Sequence, residues 1–471
     1  MSFWQTLLGN LPEVAAPSQR KLGFKEKLKW TILVLLLFFV LRLIPLFGLG
    51  PNELARFEYL STILGAEFGS LISLGIGPLV TASIVLQLLN GSGLVKFDLT
   101  THEGKKTFQG IQKLLGFFFI VFEACIYVFM GGLAPPPTLN GIAIAGTATY
   151  FQLQLLLIFQ IFLGGLLIMF MDEIVSKWGF GSGISLFIAA GVSQSLFVRL
   201  FSWLPGPGSA EGFTYATGAI PALVQSLGAG DPRTAGLMFG GILSTALIFA
   251  MAVYAQSMKV EIPLSFGRVR GHGIRWPLSF LYTSNIPVIL IAALMANIQL
   301  WARLLQNWGH PFLGTFVGNS PASGLVAWIS TPQLLNKIIT SSFTWLDIGQ
   351  ALVYTIIMVT GAVVFSIFWV QTSGMDAKSQ AEQMMKSGLQ IPGFRKDKRV
   401  MERLMERYIG PLTVMGGIAI GLLAAFADLL GALANGTSLL LAVMIIYRLY
   451  EDIAKQHVYD MYPMLRKFIS M

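Results

Sequence analysis

The sequence predicts an all-α protein that crosses a membrane many times. Of its 471 residues, 54% are hydrophobic and only 12% are charged, whereas a soluble domain carries roughly 25% charged residues. A soluble fold cannot hold so much apolar surface, because its outside must contact water. The apolar residues also fall into blocks of roughly 20, which is the length that a helix needs to span a bilayer.

About ten such blocks are predicted to be membrane-spanning helices. They cover residues 30–49, 73–94, 108–130, 151–170, 184–204, 235–255, 278–300, 348–370, 409–430 and 437–453. With ten spans, both ends of the chain lie on the same side of the membrane. The side with the termini carries 25 lysines and arginines and the other side carries six, with Lys113 inside a span. The positive-inside rule therefore predicts that both termini are cytosolic, including residues 1–29 and 456–471.

The segment 50–72, on the outer side, is too polar to span the membrane and too apolar for a free loop. It contains Glu53 and Arg56 but also Phe57 and Leu60. Two interpretations are open. One is a short helix folded back into the protein, where backbone at membrane depth is tolerated inside protein or along a cavity. The other is a helix that lies on the outer leaflet.

A glycine- and proline-rich break occupies residues 75–78 at the start of the second span. Proline removes a backbone donor and glycine loosens a helix. The break predicts either a plain kink or a helix that moves or lines a pore.

Two cytosolic loops are long and basic. Residues 258–276 begin with strand-like alternation and continue with glycines, which predicts a hairpin. Residues 371–408 predict one helix near 377–386 and a second, amphipathic helix near 400–408. The positive charge of both loops is explained in part by their exposure to water and by the preference of lysine and arginine for the cytosolic side. Their length and structure favour an anionic partner, either ribosomal RNA or anionic lipid headgroups.

The sequence contains no motif for ATP hydrolysis, metalloprotease or serine hydrolase chemistry. We therefore expect no enzymatic activity, no cofactor and no metal site. Glu123 and Asp428 are carboxylates within spans; Glu123 is interpreted as either a helix–helix hydrogen bond or a gating group. Two function classes remain. A secondary transporter with inverted repeats requires convergent polar groups near the midplane. A passive channel requires an apolar constriction and large docking loops, and the sequence favours it.

Several strings of residues resemble the SecY family, in particular archaeal SecY and the eukaryotic alpha subunit. The strings are IPLFG at 44–48, GIGP at 75–78, GSGISLFIAAG at 181–191, VEIPL at 260–264, SNIPVI at 284–289 and PLTVM at 411–415. The resemblance runs from about Phe24 to the C-terminal tail.

The resemblance implies a channel that passes unfolded secretory polypeptides across the membrane and releases transmembrane segments laterally into lipid. It implies two pseudo-symmetric, inverted five-helix halves, 30–204 and 235–455, joined by an external hinge at 205–234. The segment 50–72 would be a re-entrant plug helix. Expected partners are a SecE-like small subunit, a second small beta-type subunit, the translating ribosome, nascent polypeptides with their signal peptides, and the bilayer. The expected location is the cell membrane of an archaeon.

The resemblance also implies three groups of site residues. The hydrophobic pore ring is Ile76, Val80, Ile184, Ile188, Ile289 and Leu441. The lateral gate is Thr81, Glu123 and Asn297. The ribosome-docking residues are Arg268, Arg270, Arg395 and Lys396. Residues four apart share one helix face, which independently agrees with the pairing of Ile76 with Val80 and of Ile184 with Ile188.

Overall fold

We analysed a computed structural model. It describes residues 11–18, 22–50, 66–91, 94–95, 97, 102–139, 142–204, 215–266, 273–283, 285–317, 320–332, 334–339, 341–386, 389–390 and 397–461. The helices and strands named and counted here all belong to these residues.

Ten long helices correspond one to one to the ten predicted spans. They are α1 (Phe24–Leu43), α2 (Gly77–Gly91), α3 (His102–Phe129), α4 (Ala148–Trp178), α5 (Gly183–Phe201), α7 (Pro232–Ser257), α8 (Ile286–Asn307), α11 (Trp345–Thr372), α13 (Lys398–Leu429) and α14 (Gly436–Met461). Four shorter helices lie between them: α6 (Ala219–Ala229), α9 (Gly324–Ile329), α10 (Leu334–Ile339) and α12 (Ala377–Lys386).

Seven of the long helices are long and apolar enough to cross a membrane on composition alone. The other three are α1, α2 and α14. The first starts among lysines, the second has 15 residues, and the third ends among charged residues. The predicted all-α polytopic fold is confirmed.

The start of α2 differs from the prediction. We expected the second span to begin at residue 73, but residues 71–76 form turns and the helix begins at Gly77. Gly75 has a φ of +54°, a left-handed conformation that favours glycine. Pro78 lies in the first turn, where its missing N–H breaks no helical hydrogen bond. The break is therefore the helix start itself rather than a kink.

The predicted separation between an amphipathic helix at 400–408 and a span at 409–430 is wrong. Both belong to α13, a single 32-residue helix that contains Pro411. Met401, Met405, Ile409 and Leu412 are buried in one cluster with residues of 260–282 and 370–385. Their spacing forms one continuous stripe across the proline. Burial of that stripe keeps the helix continuous although the proline removes a backbone hydrogen bond.

Helix packing repeats between the two halves of the chain. In the first half α2 packs on α3, α3 on α4 and α4 on α5; in the second α8 packs on α11, α11 on α13 and α13 on α14. Likewise α1 contacts α4, and α7 contacts α13. The halves meet where α2 contacts α8 and α11, and where α5 contacts α14. This order is the one expected of two five-helix halves.

The hairpin predicted at 258–276 is confirmed. Strands β3 (Lys259–Phe266) and β4 (Gly273–Ser279) pair antiparallel, and β7 (Leu389–Gln390) adds to β3. Ile262 of β3 is buried against Met401 and Met405 of α13. The sheet is thereby fixed to the start of α13. Two further hairpins have strands of only two residues each. They are β1–β2 (Thr138–Leu139, Ile142–Ala143) and β5–β6 (Phe316–Val317, Ser320–Pro321).

The described N-terminal residues lie against α3 and the end of α4. Lys177 Nζ donates to Glu13 Oε1 at 2.5 Å and to the Val14 carbonyl at 2.6 Å, and Val14 N–H donates to Glu173 Oε2 at 2.9 Å. Glu173 also forms an ion pair with Lys113. The lysine that the sequence leaves inside a span is therefore neutralised by a carboxylate of the next helix.

We expect Lys177→Ala to loosen this N-terminal contact. The ammonium group of Lys177 lowers the pKa of Glu13, so the contact is complete above the ordinary pKa of 4.5 and is lost as the pH falls through the lowered value. Glu13 is largely exposed, so the pair contributes under about 1 kcal/mol. A spin label at Ala16 should become more mobile in Lys177→Ala. The same label should become more mobile at low pH in the parent protein, which keeps Lys177.

Lys29→Ala, which alters an exposed lysine on α1, is the control and should leave the label unchanged. Equal label mobility in Lys177→Ala and the parent protein would show that Lys177 does not hold the segment.

Candidate functional site

The six residues predicted to form a ring lie in a single hydrophobic cluster where the two halves meet. Five of them are buried, and Ile184 packs at the margin of the same cluster. They come from the start of α2 and from α5, α8 and α14, so each half contributes to the cluster. The members are Ile76, Val80, Ile184, Ile188, Ile289 and Leu441.

The turn before α2 sets the position of Ile76. Although Ile76 precedes the helix, its carbonyl accepts a hydrogen bond from Val80 N–H at 3.0 Å. The two side chains therefore lie on one face, as the four-residue spacing predicts. The turn packs directly on α4, because a Cβ at Gly164 would lie 1.7 Å from the Leu71 carbonyl oxygen. Only glycine allows this approach.

A cavity of about 400 Å³ lies next to this cluster. Val80, Ile184 and Ile289, three of the predicted ring residues, are among its lining residues. Polar and charged side chains also line the cavity, and they come from the ends of helices on the side that carries the basic loops. They include Ser83, Gln87, Lys105, Gln109, Gln112 and Asp172. The cavity therefore combines polar groups that water can bind with part of the aliphatic cluster.

The three residues predicted to form a gate are in mutual contact. Asn297 Nδ2 of α8 donates to Thr81 Oγ1 of α2 at 3.0 Å, and Thr81 Oγ1 lies 3.2 Å from Glu123 Oε1 of α3. Thr81 Oγ1 also lies 2.9 Å from the Gly77 carbonyl, so its single proton has two alternative acceptors. The contact joins the two halves through side chains alone.

This polar contact is incompletely satisfied. Glu123 Oε2 and Asn297 Oδ1 are buried and have no hydrogen-bond partner among the described residues. Buried polar groups without partners cost free energy, so a partly satisfied network holds two helices less tightly than a complete one. The polar contact between α2 and α8 is therefore a single, weakly supported hydrogen bond, added to the aliphatic packing of the two helices.

Asp428 has a different setting. Its carboxylate accepts hydrogen bonds from Tyr354 Oη at 2.5 Å and from Thr437 N–H at 2.6 Å, and Thr437 Oγ1 also contacts it. These bonds fix the corner between α13 and α14. Asp428 and Glu123 do not converge on a shared site, and the centre between the halves is aliphatic. The transporter interpretation is not favoured.

Two groups of predicted residues lie outside the described part of the chain. One is the set of predicted ribosome-docking residues, Arg268, Arg270, Arg395 and Lys396, and the other is residues 51–65 of the predicted plug. Both flanks of the plug segment are described. Leu46 N–H donates to the Gly69 carbonyl at 2.9 Å, and Pro45 forms a β-bridge with Ser70. The chain therefore returns to the end of α1 before α2 begins.

The sequence analysis did not predict a set of polar contacts at Arg42, where the chain returns to the end of α1. Arg42, in the last turn of α1, pairs with Glu67 at 2.5 Å and donates to Gln194 Oε1 of α5 at 2.9 Å. An arginine at the end of an apolar span is a signal that an acidic partner lies nearby. The sequence does not indicate that the partner is Glu67, because Glu67 approaches Arg42 only when the chain folds back to the end of α1.

The SecY family model matches residues 70–450. The chain belongs to the SecY family. The protein translocase subunit SecY of Methanothermobacter thermautotrophicus is 41% identical, over 99% of this chain and 98% of its own length. The resemblance seen in the sequence is confirmed.

Two solved structures of SecY-family channels are also similar. One concerns the SecY plug domain that stabilises the closed state of the translocation channel and maintains a membrane seal. It has a TM-score of 0.80 and 41% identity, and the match covers 97% of this chain and 98% of that one. The other is Sec61 in the canine ribosome–channel complex, with a TM-score of 0.78 and 40% identity, again over 97% and 98%. The SecY family is a family of protein-translocation channels.

We expect Asn297→Leu to make α2 and α8 separate more easily. The substitution removes the hydrogen bond to Thr81 at similar side-chain volume, and such bonds between membrane helices contribute about 0.6–2 kcal/mol. The open fraction should rise about 3- to 30-fold. Spin labels at Leu88 on α2 and Leu294 on α8 would measure the distance distribution.

The control is Thr355→Val, whose hydroxyl bonds the Ala351 carbonyl within its own helix. An unchanged distance distribution in Asn297→Leu would contradict a role for this contact in closing the seam.

Proposed function

We propose that this chain is the channel-forming subunit through which unfolded secretory polypeptides cross an archaeal cell membrane, and that it releases membrane-spanning segments sideways into lipid. The observation that carries the proposal is the aliphatic cluster to which both halves contribute, because three of its proposed ring residues also line a cavity with polar side chains. A route for a polypeptide needs a wet approach and a narrow seal, and this arrangement supports both.

The chemistry of the proposed ring suits a polypeptide of any sequence. Aliphatic side chains form no hydrogen bonds, so they recognise no particular residue in the passing chain. They also resist ions, because a narrow apolar constriction loses its water. The side chains come from four separate segments of the chain, and aliphatic groups form no directional bonds with one another. The ring can therefore widen around a chain and close again behind it.

The gate contact is weak enough for an apolar segment to replace it. Burying a leucine-sized side chain gains about 1.5–3 kcal/mol, whereas one net hydrogen bond contributes about 0.5–1.5 kcal/mol. A segment with several such side chains gains more by entering lipid than the Thr81–Asn297 contact retains. A hydrophilic segment has no such gain, so it stays on the central path.

The remaining features of the proposal extend the family likeness. The halves are residues 30–204 and 235–455, the hinge is 205–234, and the plug lies within 50–72. The bias of basic residues supports cytosolic termini, a cytosolic tail at 456–471 and cytosolic loops at 258–276 and 371–408. The plug would close the ring from the outer side in the resting channel.

Movement of the polypeptide would be driven by a partner, since the sequence contains no nucleotide-binding loop. Translation by a bound ribosome is one source of movement. Arg268, Arg270, Arg395 and Lys396 would contact ribosomal RNA, where phosphates favour lysine and arginine. A SecE-like subunit and a second small beta-type subunit would hold the halves together from outside.

Cysteines at Ile76, Ile188 and Ile289, in a Cys125→Ala background, should crosslink to a secretory chain stalled during translocation. A cysteine at Phe249, an exposed residue of α7, is the lipid-facing control and should give no crosslink. Absence of crosslinks at all three positions with an engaged chain would reject the ring and favour a small-solute transporter.

Reversing Arg395 and Lys396 to glutamate should weaken ribosome binding. The loss should be larger at low salt, where surface charges are least screened. Co-sedimentation with ribosomes at two salt concentrations measures this effect. Reversal of Lys25 and Lys29, exposed on α1, is the matched control, and equal binding of both double variants would exclude a specific docking role.

A further inference from the structure

Asp172 of α4 caps a different helix. Its Oδ1 accepts a hydrogen bond from the backbone N–H of Ile184 at 2.9 Å, and the carboxylate also accepts one from the N–H of Gly183. These two N–H groups belong to the first turn of α5. Ser182, the residue before that helix, makes no side-chain capping bond. The unpaired donors at the start of α5 are therefore satisfied from α4.

Gly183 makes this cap possible. A Cβ at residue 183 would lie 2.6 Å from the Asp172 Cα and 2.8 Å from its Oδ1. Real Cβ atoms do not approach a backbone atom so closely, so a larger residue would push α5 away from α4. The glycine and the carboxylate thus form a matched pair, one providing room and the other providing acceptors.

The capped turn carries part of the aliphatic ring. Ile184 is both a ring residue and a donor to Asp172, and Ile188 lies one turn further along α5. The backbone of Ile184 is therefore tied to α4, while its side chain lines the cavity. A shift of the first turn of α5 displaces both isoleucines together.

We propose that Asp172 is a positioning residue of the resting seal. It holds the first turn of α5 against α4, so that Ile184 and Ile188 meet the ring residues of α2, α8 and α14. Asp172 acts through the backbone of Ile184. This inference rests on the proposed channel function.

The test compares Asp172→Ala, Asp172→Asn and Gly183→Ala in the complete channel complex in planar bilayers. Alanine removes both acceptors, so the resting ion conductance should rise several-fold and a substrate with a defective signal peptide should be exported more efficiently. Asparagine keeps an acceptor oxygen at the same position, so its seal should remain near that of the parent protein. Gly183→Ala should be leaky although Asp172 is intact.

Ser176→Ala, at an exposed position of the same helix, is the control and should remain sealed. A tight seal in Asp172→Ala would overturn the inference, as would an Asp172→Asn channel as leaky as the alanine variant. If Asp172→Ala does not assemble, Gly183→Ala decides: a leak supports the inference and a tight seal overturns it. If neither assembles, the Asp172→Asn variant decides. A leak in this variant overturns the inference, and a seal like that of the parent protein supports it.

Crosslinking from a cysteine at Ile188, in a protein with Asp172 intact, separates this inference from the proposed function. If that cysteine gives no crosslink to a stalled chain, the channel ring itself is rejected. Crosslinks together with an unchanged seal in Asp172→Ala would reject only the role of Asp172.

Discussion

Packing of aliphatic side chains between the two halves is the interaction on which the rest of the structure depends. It joins α2 and α5 of the first half to α8 and α14 of the second. This contact has no directional bonds, so it holds the halves closely without fixing them in a single arrangement. A seal that must open around unrelated polypeptides requires this combination.

Charged groups are used in the opposite way, because their ion pairs join separate segments of one half and fix the geometry there. Lys113 pairs with Glu173, and Arg42 pairs with Glu67. Removing one partner of a buried or half-buried pair leaves an uncompensated charge, which costs more than the pair itself contributes. Strong polar bonds thus hold each half together. Among the described residues, the polar contacts between the halves include the incomplete contact of Thr81 with Asn297, and a hydrogen bond from Arg199 to the Leu433 carbonyl at 2.8 Å.

The number and order of the membrane helices could be predicted from the sequence, because a spanning helix needs a long apolar block and such blocks are visible in one dimension. Their ends could not. Helix α4 continues past the predicted end at residue 170 to Trp178 because its polar residues have distant partners. Asp172 bonds the start of α5, and Lys177 bonds Glu13. Nothing near these residues in the sequence indicates those contacts.

The site was predicted unevenly for a related reason. The residues proposed for the aliphatic ring are indistinguishable by composition from any other aliphatic residue in a span, so only the family resemblance predicts them. Glu123 was visible because a carboxylate within a span is rare. Its partners Thr81 and Asn297 depend on the packing of three helices. The role of Asp172 was invisible, because its partners are backbone N–H groups.

The length of α13 has a mechanical consequence. Its 32 residues extend for about 48 Å at a rise of 1.5 Å per residue, which is longer than the roughly 30 Å apolar core of a bilayer. The β3–β4 sheet is packed on the protruding end. The helix can therefore act as a lever, with a short arm that carries the sheet and a long arm that lies among the spans. A force on the sheet that tilts the helix by about 8° displaces the far end of a long arm of about 30 Å by about 4 Å. That displacement is comparable to the spacing of two neighbouring extended chains, about 4.8 Å.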